Sequence, residues 1–438
     1  MTDFHGSPEG LASALKAPPG DAPRRTNTLG LVLLIAGMGA LTWWRPFLAI
    51  VVAAIIVMIF LHELGHYLTA RAAGINVTEF FIGFGPRLWS FRRGETEYGV
   101  KPIPAGAYVK VVGMHNLEDV DPADEPRTYR QKPFWRRLSV AVAGSGMHFL
   151  LVLVCIYLLL AVVGTPDGRI VPDPERAENV NTISDWVVGD VSDDSAADRA
   201  GVEVGDHIVS VDGEAVNSFE ELRDVVEPRA NERVDIVIER DDRRLTLETT
   251  LGSREDEDEG EIGFFGIGPN LPTRTVGPVD AAGRTFVEFG RLTELTVVSL
   301  GQFFSPSGLT GFFGDAADEA GGEPSTDGGS GNPNRVVSIL GAALIGEQLT
   351  QAGFGTFLQF FVVLNVFVGI FNLVPLLPLD GGHVAIAVYE RIRSRKGKRY
   401  HADVAKMLPV AYAVVVILVL VGITALYLDI VNPLTLPD

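Results

Sequence analysis

His62, Glu63 and His66 stand in the order H-E-L-G-H, two imidazoles four residues apart with a carboxylate beside the first. On a helix, positions i and i+4 share one face a turn apart, so both rings can reach one zinc ion at about 2 Å. Glu63, about 100° around the helix from His62, is free to act as base toward a metal-bound water. Two surface histidines beside a glutamate would give the same string. Here, however, the motif closes the apolar run FLAIVVAAIIVMIFL (47–61). Ionisable groups at membrane depth are expensive and point to function.

Two histidines need a further protein ligand and an open position to make a catalytic zinc site. The stretch FNLVPLLPLDGGH (371–383) offers a carboxylate, Asp380, directly after a helix interrupted by Pro375 and Pro378. Freed backbone groups at membrane depth are tolerated only where they are buried in protein or line a cavity. Leu-Asp-Gly-Gly reads either as a turn with Asp380 as a helix cap or as the turn that presents a ligand. The zinc-like histidines make the carboxylate ligand the natural partner.

The elements that must hold these groups are apolar helices. Residues 29–44 and 47–61 are separated by Arg45 and Pro46, and the second run continues through the motif to about residue 73. Further spans are expected over 138–163, 356–379 and 408–427. Sixteen helical residues cover about 24 Å, somewhat short of a roughly 30 Å hydrocarbon core, so the first run is the marginal one. Lys and Arg near span ends stay on the cytoplasmic side. Residues 70–137 hold 11 of them and 391–406 hold 7, while Arg24 and Arg25 precede the first run. Five spans with the amino terminus inside place all three basic regions in the cytoplasm and residues 164–354 outside.

That outer segment carries most of the acid: 14 Lys and Arg against 38 Asp and Glu, within a chain of net charge -19. With hydrophobic residues at 47%, this excludes a simple soluble enzyme. No clustered basic excess suited to phosphates is present, so nucleic acid is not an expected partner. The single cysteine, Cys155, lies in an apolar run and excludes both disulfides and a cysteine-based metal site.

The two motifs together resemble the site-2 protease family of intramembrane zinc metalloproteases. Its H-E-x-x-H matches His62, Glu63 and His66, and its N-x-x-P-x-x-x-x-D-G matches Asn372, Pro375, Asp380 and Gly381. The likeness covers about residues 46–430. It implies that His62, His66 and Asp380 bind zinc, that Glu63 is the general base, and that Asn372 lies in the active site as a substrate or oxyanion contact. Pro378 falls one residue later than in some members. Where the family usually shows G-P-x-x-N, this chain has Gly144, Ser145, Gly146, Met147 and His148. His148 thus replaces the Asn, as a functional group through hydrogen bonding or metal contact, or as a helix–helix hydrogen bond.

Residues 75–114 alternate short apolar runs with Gly and Pro, which argues for strands. With Phe80, Phe81, Phe84 and Trp89 at the membrane border, they resemble the family's membrane-associated β-hairpin, whose edge can receive substrate as an added strand. Residues 184–252 resemble a PDZ domain, most closely over Ser195–Val216. Ser218 and Glu221 form a capping box there, and Val234, Ile236 and Ile238 alternate as a strand. Glu255–Glu261 reads as a solvated loop and GGEPSTDGGSGNPN (321–334) as a flexible linker.

The expected fold is therefore a multi-pass α-helical membrane protein with a membrane-associated β-hairpin and an inserted α+β PDZ-like domain. Its parts are a disordered cytoplasmic tail (1–28), two transmembrane helices with the H-E-x-x-H (29–73) and a cytoplasmic β region (74–137). A transmembrane helix (138–163), an extracytoplasmic PDZ-like domain (184–252), an acidic, Gly-rich linker (253–354) and two final transmembrane helices (355–430) follow. The expected function is an intramembrane zinc endopeptidase in the lipid bilayer of the cell membrane. By resemblance, its substrates are single-span membrane proteins, such as anti-sigma factors first cut by an upstream extracytoplasmic protease. An inactive PDZ-bearing scaffold has no need of Glu63, and a zinc transporter would need further ligands across the membrane.

Overall fold

The computed structural model describes residues 27–114, 118–165, 186–192, 194–241, 243–256, 260–270, 273–321, 336–394 and 400–431. The expected tail thus lies outside the described residues up to residue 26, as do residues 322–334 of the expected flexible stretch 321–334. The chain opens with helices α1 (Thr28–Trp44) and α2 (Pro46–Ala72). Arg45 breaks them, and Pro46, lacking an N–H, suits the first helical position of α2. At 17 residues, α1 reaches only about 26 Å and none of it is buried.

Strands β1 (Val77–Phe84), β2 (Trp89–Arg93), β3 (Thr96–Val100) and β4 (Ile103–Val111) follow. They form one sheet in the order β2-β3-β1-β4, with β1 and β3 parallel. The expected hairpin is thus corrected to a four-stranded mixed sheet, because β3 inserts between β2 and β1 and satisfies an edge that a hairpin would expose. A cross-strand row of Phe91, Tyr98, Phe80 and Val109 runs over one face. Phe80 packs edge-on against Phe60 and Tyr67 of α2, 5.6 Å from each ring centroid. This seats edge strand β4 beside the motif helix.

The expected helix 138–163 is two helices, α3 (Phe134–Ala141) and α4 (Ala143–Leu158), the latter continued by a π-helical turn to Val163. Polar Arg136 and Arg137 and the break at Val142 keep α3 out of the apolar span. The β-rich module comprises β5 (Val187–Val191), α5 (Ala196–Ala200), β6 (His207–Val211), β7 (Glu214–Ala215) and α6 (Phe219–Val226). It is completed by β8 (Arg233–Arg240), β9 (Arg243–Thr250), β10 (Gly252–Asp256), β11 (Gly260–Phe264) and β12 (Ile267–Asn270). Ile208, Val211, Val234, Ile236 and Ile238 lie in its core with Trp186, Leu251 and Phe265. Ser218 caps α6 by accepting from the Glu221 amide, while Glu221 reaches back to the Asn217 N–H.

The module's expected end at residue 252 is also corrected. β12 pairs with β5, and β10 pairs with β11, so the supposed solvated loop begins and ends as a hairpin. Glu261 stays exposed while its backbone is paired and the neighbouring Ile262 is buried.

The described residues of 253–354 do not form the expected linker. Besides β10–β12 they hold α7 (Pro278–Phe303), α8 (Pro306–Gly321) and α9 (Ile339–Gln351). On α7, Ala281, Thr285, Glu288 and Leu292 recur at helical spacing and are buried. Ala281 and Leu292 join a core with Ile156, Leu159, Val362 and Val366. Acid and glycine in the surrounding sequence hid this periodicity.

Helices α10 (Phe354–Phe371), α11 (Asp380–Arg393) and α12 (Leu408–Val431) complete the chain. α10 ends at Asn372 instead of running to 379, since Pro375 and Pro378 cannot donate to a helical ladder. Among the described residues, four helices are long and apolar enough to cross a membrane: Pro46–Ala72, Ala143–Val163, Phe354–Asn372 and Val404–Val431.

Candidate metal centre

Two glycines let the motif helix approach α4 closely. A Cβ at Gly65 would stand 2.6 Å from the Ala143 carbonyl oxygen and 2.7 Å from Met147. One at Gly144 would strike the rings of both His62 and His66. α4 therefore forms a wall against the histidines, and only glycine fits there.

The loop after α10 brings in the third group. The Asn372 carbonyl accepts from the Gly381 N–H at 2.7 Å, closing the turn on itself. A side chain at Gly381 would collide with the Leu373 and Val374 carbonyls. The tight return places Asp380 in the first turn of α11, where the helix dipole favours a carboxylate.

Asp380 Oδ2 lies 3.0 Å from His66 Nε2 and 3.3 Å from His62 Nε2, and the two Nε2 atoms are 3.2 Å apart. His66 Nδ1 donates to the Val140 carbonyl at 2.8 Å, so its Nε2 carries the lone pair. His62 Nδ1 is buried with no hydrogen-bond partner among the described residues. Three electron-pair donors facing one another call for a cation between them. The edges of a tetrahedral zinc site with bonds of about 2.0–2.1 Å are roughly 3.3 Å long, which matches this triangle. Among the described residues, this is the one group of three that could hold a metal.

Glu63 stands beside the triangle, half-buried, next to the Val109 amide of β4. Asn372 caps α10, and its observed tie to Asp380's turn is through its backbone. His148 bonds to Asn365 and lies 5.1 Å from the His62 ring, centroid to centroid. Sequence reasoning passed over Asn365, although a lone amide inside FVVLNVFVGIF is itself a signal of function at membrane depth. It could not have found Val140, which acts through its backbone.

Helices long and apolar enough to cross a membrane, a histidine pair and a carboxylate closing the triangle define a membrane protein with a candidate metal site. The description Peptidase family M50 matches residues 50–321 and 324–418. Zinc metalloprotease Rip1 of Mycobacterium tuberculosis (strain H37Rv) is 35% identical over 410 residues, covering 87% of this chain and 96% of that protein. The Rip1 of Mycolicibacterium smegmatis is 32% identical over 407 residues, or 87% and 97% of the two chains. The crystal structure of a PDZ domain from an SdrC-like protein of Listeria monocytogenes covers 20% of this chain and 87% of that one. It is 24% identical, with a TM-score of 0.17. The chain belongs to peptidase family M50, the site-2-type zinc metalloproteases, which act on membrane proteins.

Proposed function

We propose that the chain cuts the transmembrane segments of single-span membrane proteins near the cytoplasmic end of α2, with His62, His66 and Asp380 as the zinc ligands. The ligand triangle carries this reading, since it brings together the three groups the metal needs at one end of a membrane helix. Zinc bound there polarises the scissile carbonyl and acidifies water. Glu63 takes the water proton and passes it to the departing amide nitrogen. Glu63 lies for this next to the Val109 amide on β4. β4 is an edge strand, so an unwound substrate can align on it as an added strand, which a helical peptide bond with its hydrogen-bonded carbonyl cannot do. Asn372 contacts the substrate or its oxyanion.

The basic residues of 70–137 and 391–406 favour the cytoplasm for both regions, with the amino terminus inside and the PDZ-like module outside. His62 is 16 residues beyond Pro46, about 24 Å along the helix, so the module cannot reach the scissile bond. A groove of about 340 Å³ between α6 and the Phe264–Ile267 segment can hold an extended chain end. The module thereby restrains access, favouring substrates such as anti-sigma factors already trimmed by an extracytoplasmic protease.

Glu63→Gln is expected to keep zinc and lose cleavage, whereas Asp380→Ala loses both. Metal content and reporter cleavage in detergent measure this. Equal zinc in both variants would mean that Asp380 is not a ligand, and cleavage by Glu63→Gln near the wild-type rate would remove Glu63 as the base.

A further inference from the structure

α4 and α10 share a buried polar contact that metal binding does not require. His148 is 2% exposed and Asn365 is fully buried. Asn365 Nδ2 donates to the Phe361 carbonyl, one turn back on its own helix, at 2.7 Å. A carbonyl only accepts, so this bond fixes the amide and turns its Oδ1 to His148. Oδ1 lies 2.9 Å from His148 Nδ1 and has no hydrogen to offer, so Nδ1 carries the proton. In the neutral form of the ring, the lone pair is then on Nε2.

The same device operates at His66, where the Val140 carbonyl holds Nδ1 and frees Nε2 for the metal. His148 stands beside that site, its ring 5.1 Å from the His62 ring, yet it does not belong to the group of ligand atoms lying within 4.8 Å of one another. Its prepared acceptor is therefore available for something other than zinc. A membrane helix unwound for cleavage exposes N–H groups that find no water at that depth, and each needs an acceptor. β4 can serve one side of an extended segment, and α4, which also packs on α2 and stands against the histidine rings, can serve another. A neutral nitrogen meets that need without adding charge to the site.

We propose that His148 is a substrate-contacting residue whose Nε2, kept free of a proton by Asn365, accepts a hydrogen bond from a backbone N–H of the segment being cut. This rests on the protease reading above. It also implies a specificity: one substrate position beside the scissile bond must have an N–H, so proline, which has none, is excluded there.

The test uses the full-length chain in detergent and a single-span reporter peptide. Binding is measured in the Glu63→Gln background, so that it does not depend on turnover. His148→Phe is expected to retain zinc and to leave the visible spectrum of the Co2+-loaded protein unchanged. It weakens peptide binding about tenfold to hundredfold, the scale of one lost hydrogen bond. His148→Gln, which keeps a neutral acceptor, recovers most of this. Asn365→Leu, which frees the ring proton to move to Nε2, weakens binding like His148→Phe with zinc retained. In a proline scan of the reporter, one position should be rejected with His148 present and tolerated with His148→Phe. Loss of zinc or a changed Co2+ spectrum in His148→Phe would overturn the proposal by making His148 a ligand. Undiminished binding in His148→Phe, or a proline profile identical with and without His148, would overturn it as well. Failure of the otherwise wild-type chain to cut a peptide that it binds through His148 would count against the protease reading alone.

Discussion

Arg137 and Glu390, 253 residues apart in sequence, form a buried ion pair that joins α3 to α11. The first of these helices supplies the Val140 carbonyl that orients His66, and the second begins at Asp380. Glu390 also accepts from the Ala402 amide at 2.7 Å, and Tyr129 donates to the Arg137 carbonyl at 3.1 Å. The pair thus ties together two of the elements that support the candidate metal centre.

Removing one partner leaves the other as an uncompensated buried charge. Arg137→Met or Glu390→Leu should each destabilise the protein by about 3–5 kcal/mol, with the double variant recovering much of the loss. Thermal unfolding in detergent checks the energies. Zinc affinity should fall about tenfold to hundredfold in the single variants, as for other residues that orient metal ligands. Additive single-variant losses would show that the two side chains do not act as a pair.

Gly144→Ala and Gly146→Ala are chemically identical changes two residues apart on α4. The first puts a methyl group into the rings of His62 and His66, whereas nothing lies within 4 Å of a Cβ at Gly146. Gly144→Ala should abolish zinc binding and cleavage. Gly146→Ala should be active and more stable by up to about 1 kcal/mol, the helix preference of alanine over glycine. Zinc content and melting temperature of the two variants make the comparison.

Asp206 gives the β-rich module an acid limit. Burial pushes its carboxyl up, but Arg240 and the Glu203 amide more than offset this and hold it below its usual range. The Arg240 guanidinium grips both oxygens, at 2.6 and 2.7 Å. A carboxylate lowered in the folded state contributes stability above its unfolded value of about 3.9 and loses it as pH falls below roughly 4. Asp206→Asn should cost about 1.5–3 kcal/mol at neutral pH and flatten that acid dependence. Hydrogen exchange at Ile208 and Ile236 in the full-length chain, followed from pH 7 to 3, reads both effects.

Topology is tested by single cysteines in a Cys155→Ser background. Ser253 is exposed on β10, and Lys406 is 83% exposed near the start of α12. Ser253→Cys should react with an impermeant thiol reagent in intact cells, and Lys406→Cys only after lysis. The reverse pattern would place the metal end of α2 outside.

Local order was legible wherever the cause was local. His62 and His66 share a face because α-helices have 3.6 residues per turn, and Pro375 and Pro378 end a helix because they lack an N–H. Val234, Ile236 and Ile238 recur at every second residue, so their burial on one face followed from strand geometry. Residues 278–303 were obscured because charge and glycine around them dominate the composition, although their buried positions keep a helical period.

The sequence by itself determined a membrane chain, its zinc-type histidine pair and a turn presenting Asp380, since each depends on residues a few positions apart. Tertiary structure alone decided that Asp380 closes on histidines more than 300 residues earlier, and that Val140 and Asn365 set the tautomers of His66 and His148. It also decided that α7 covers the spanning helices and that β3 completes a sheet beside Glu63. Helix and strand periods encode which face of an element is apolar. Which other element meets that face depends on the packing of the whole chain, through close approaches such as Gly65 and Gly144 that no local pattern specifies.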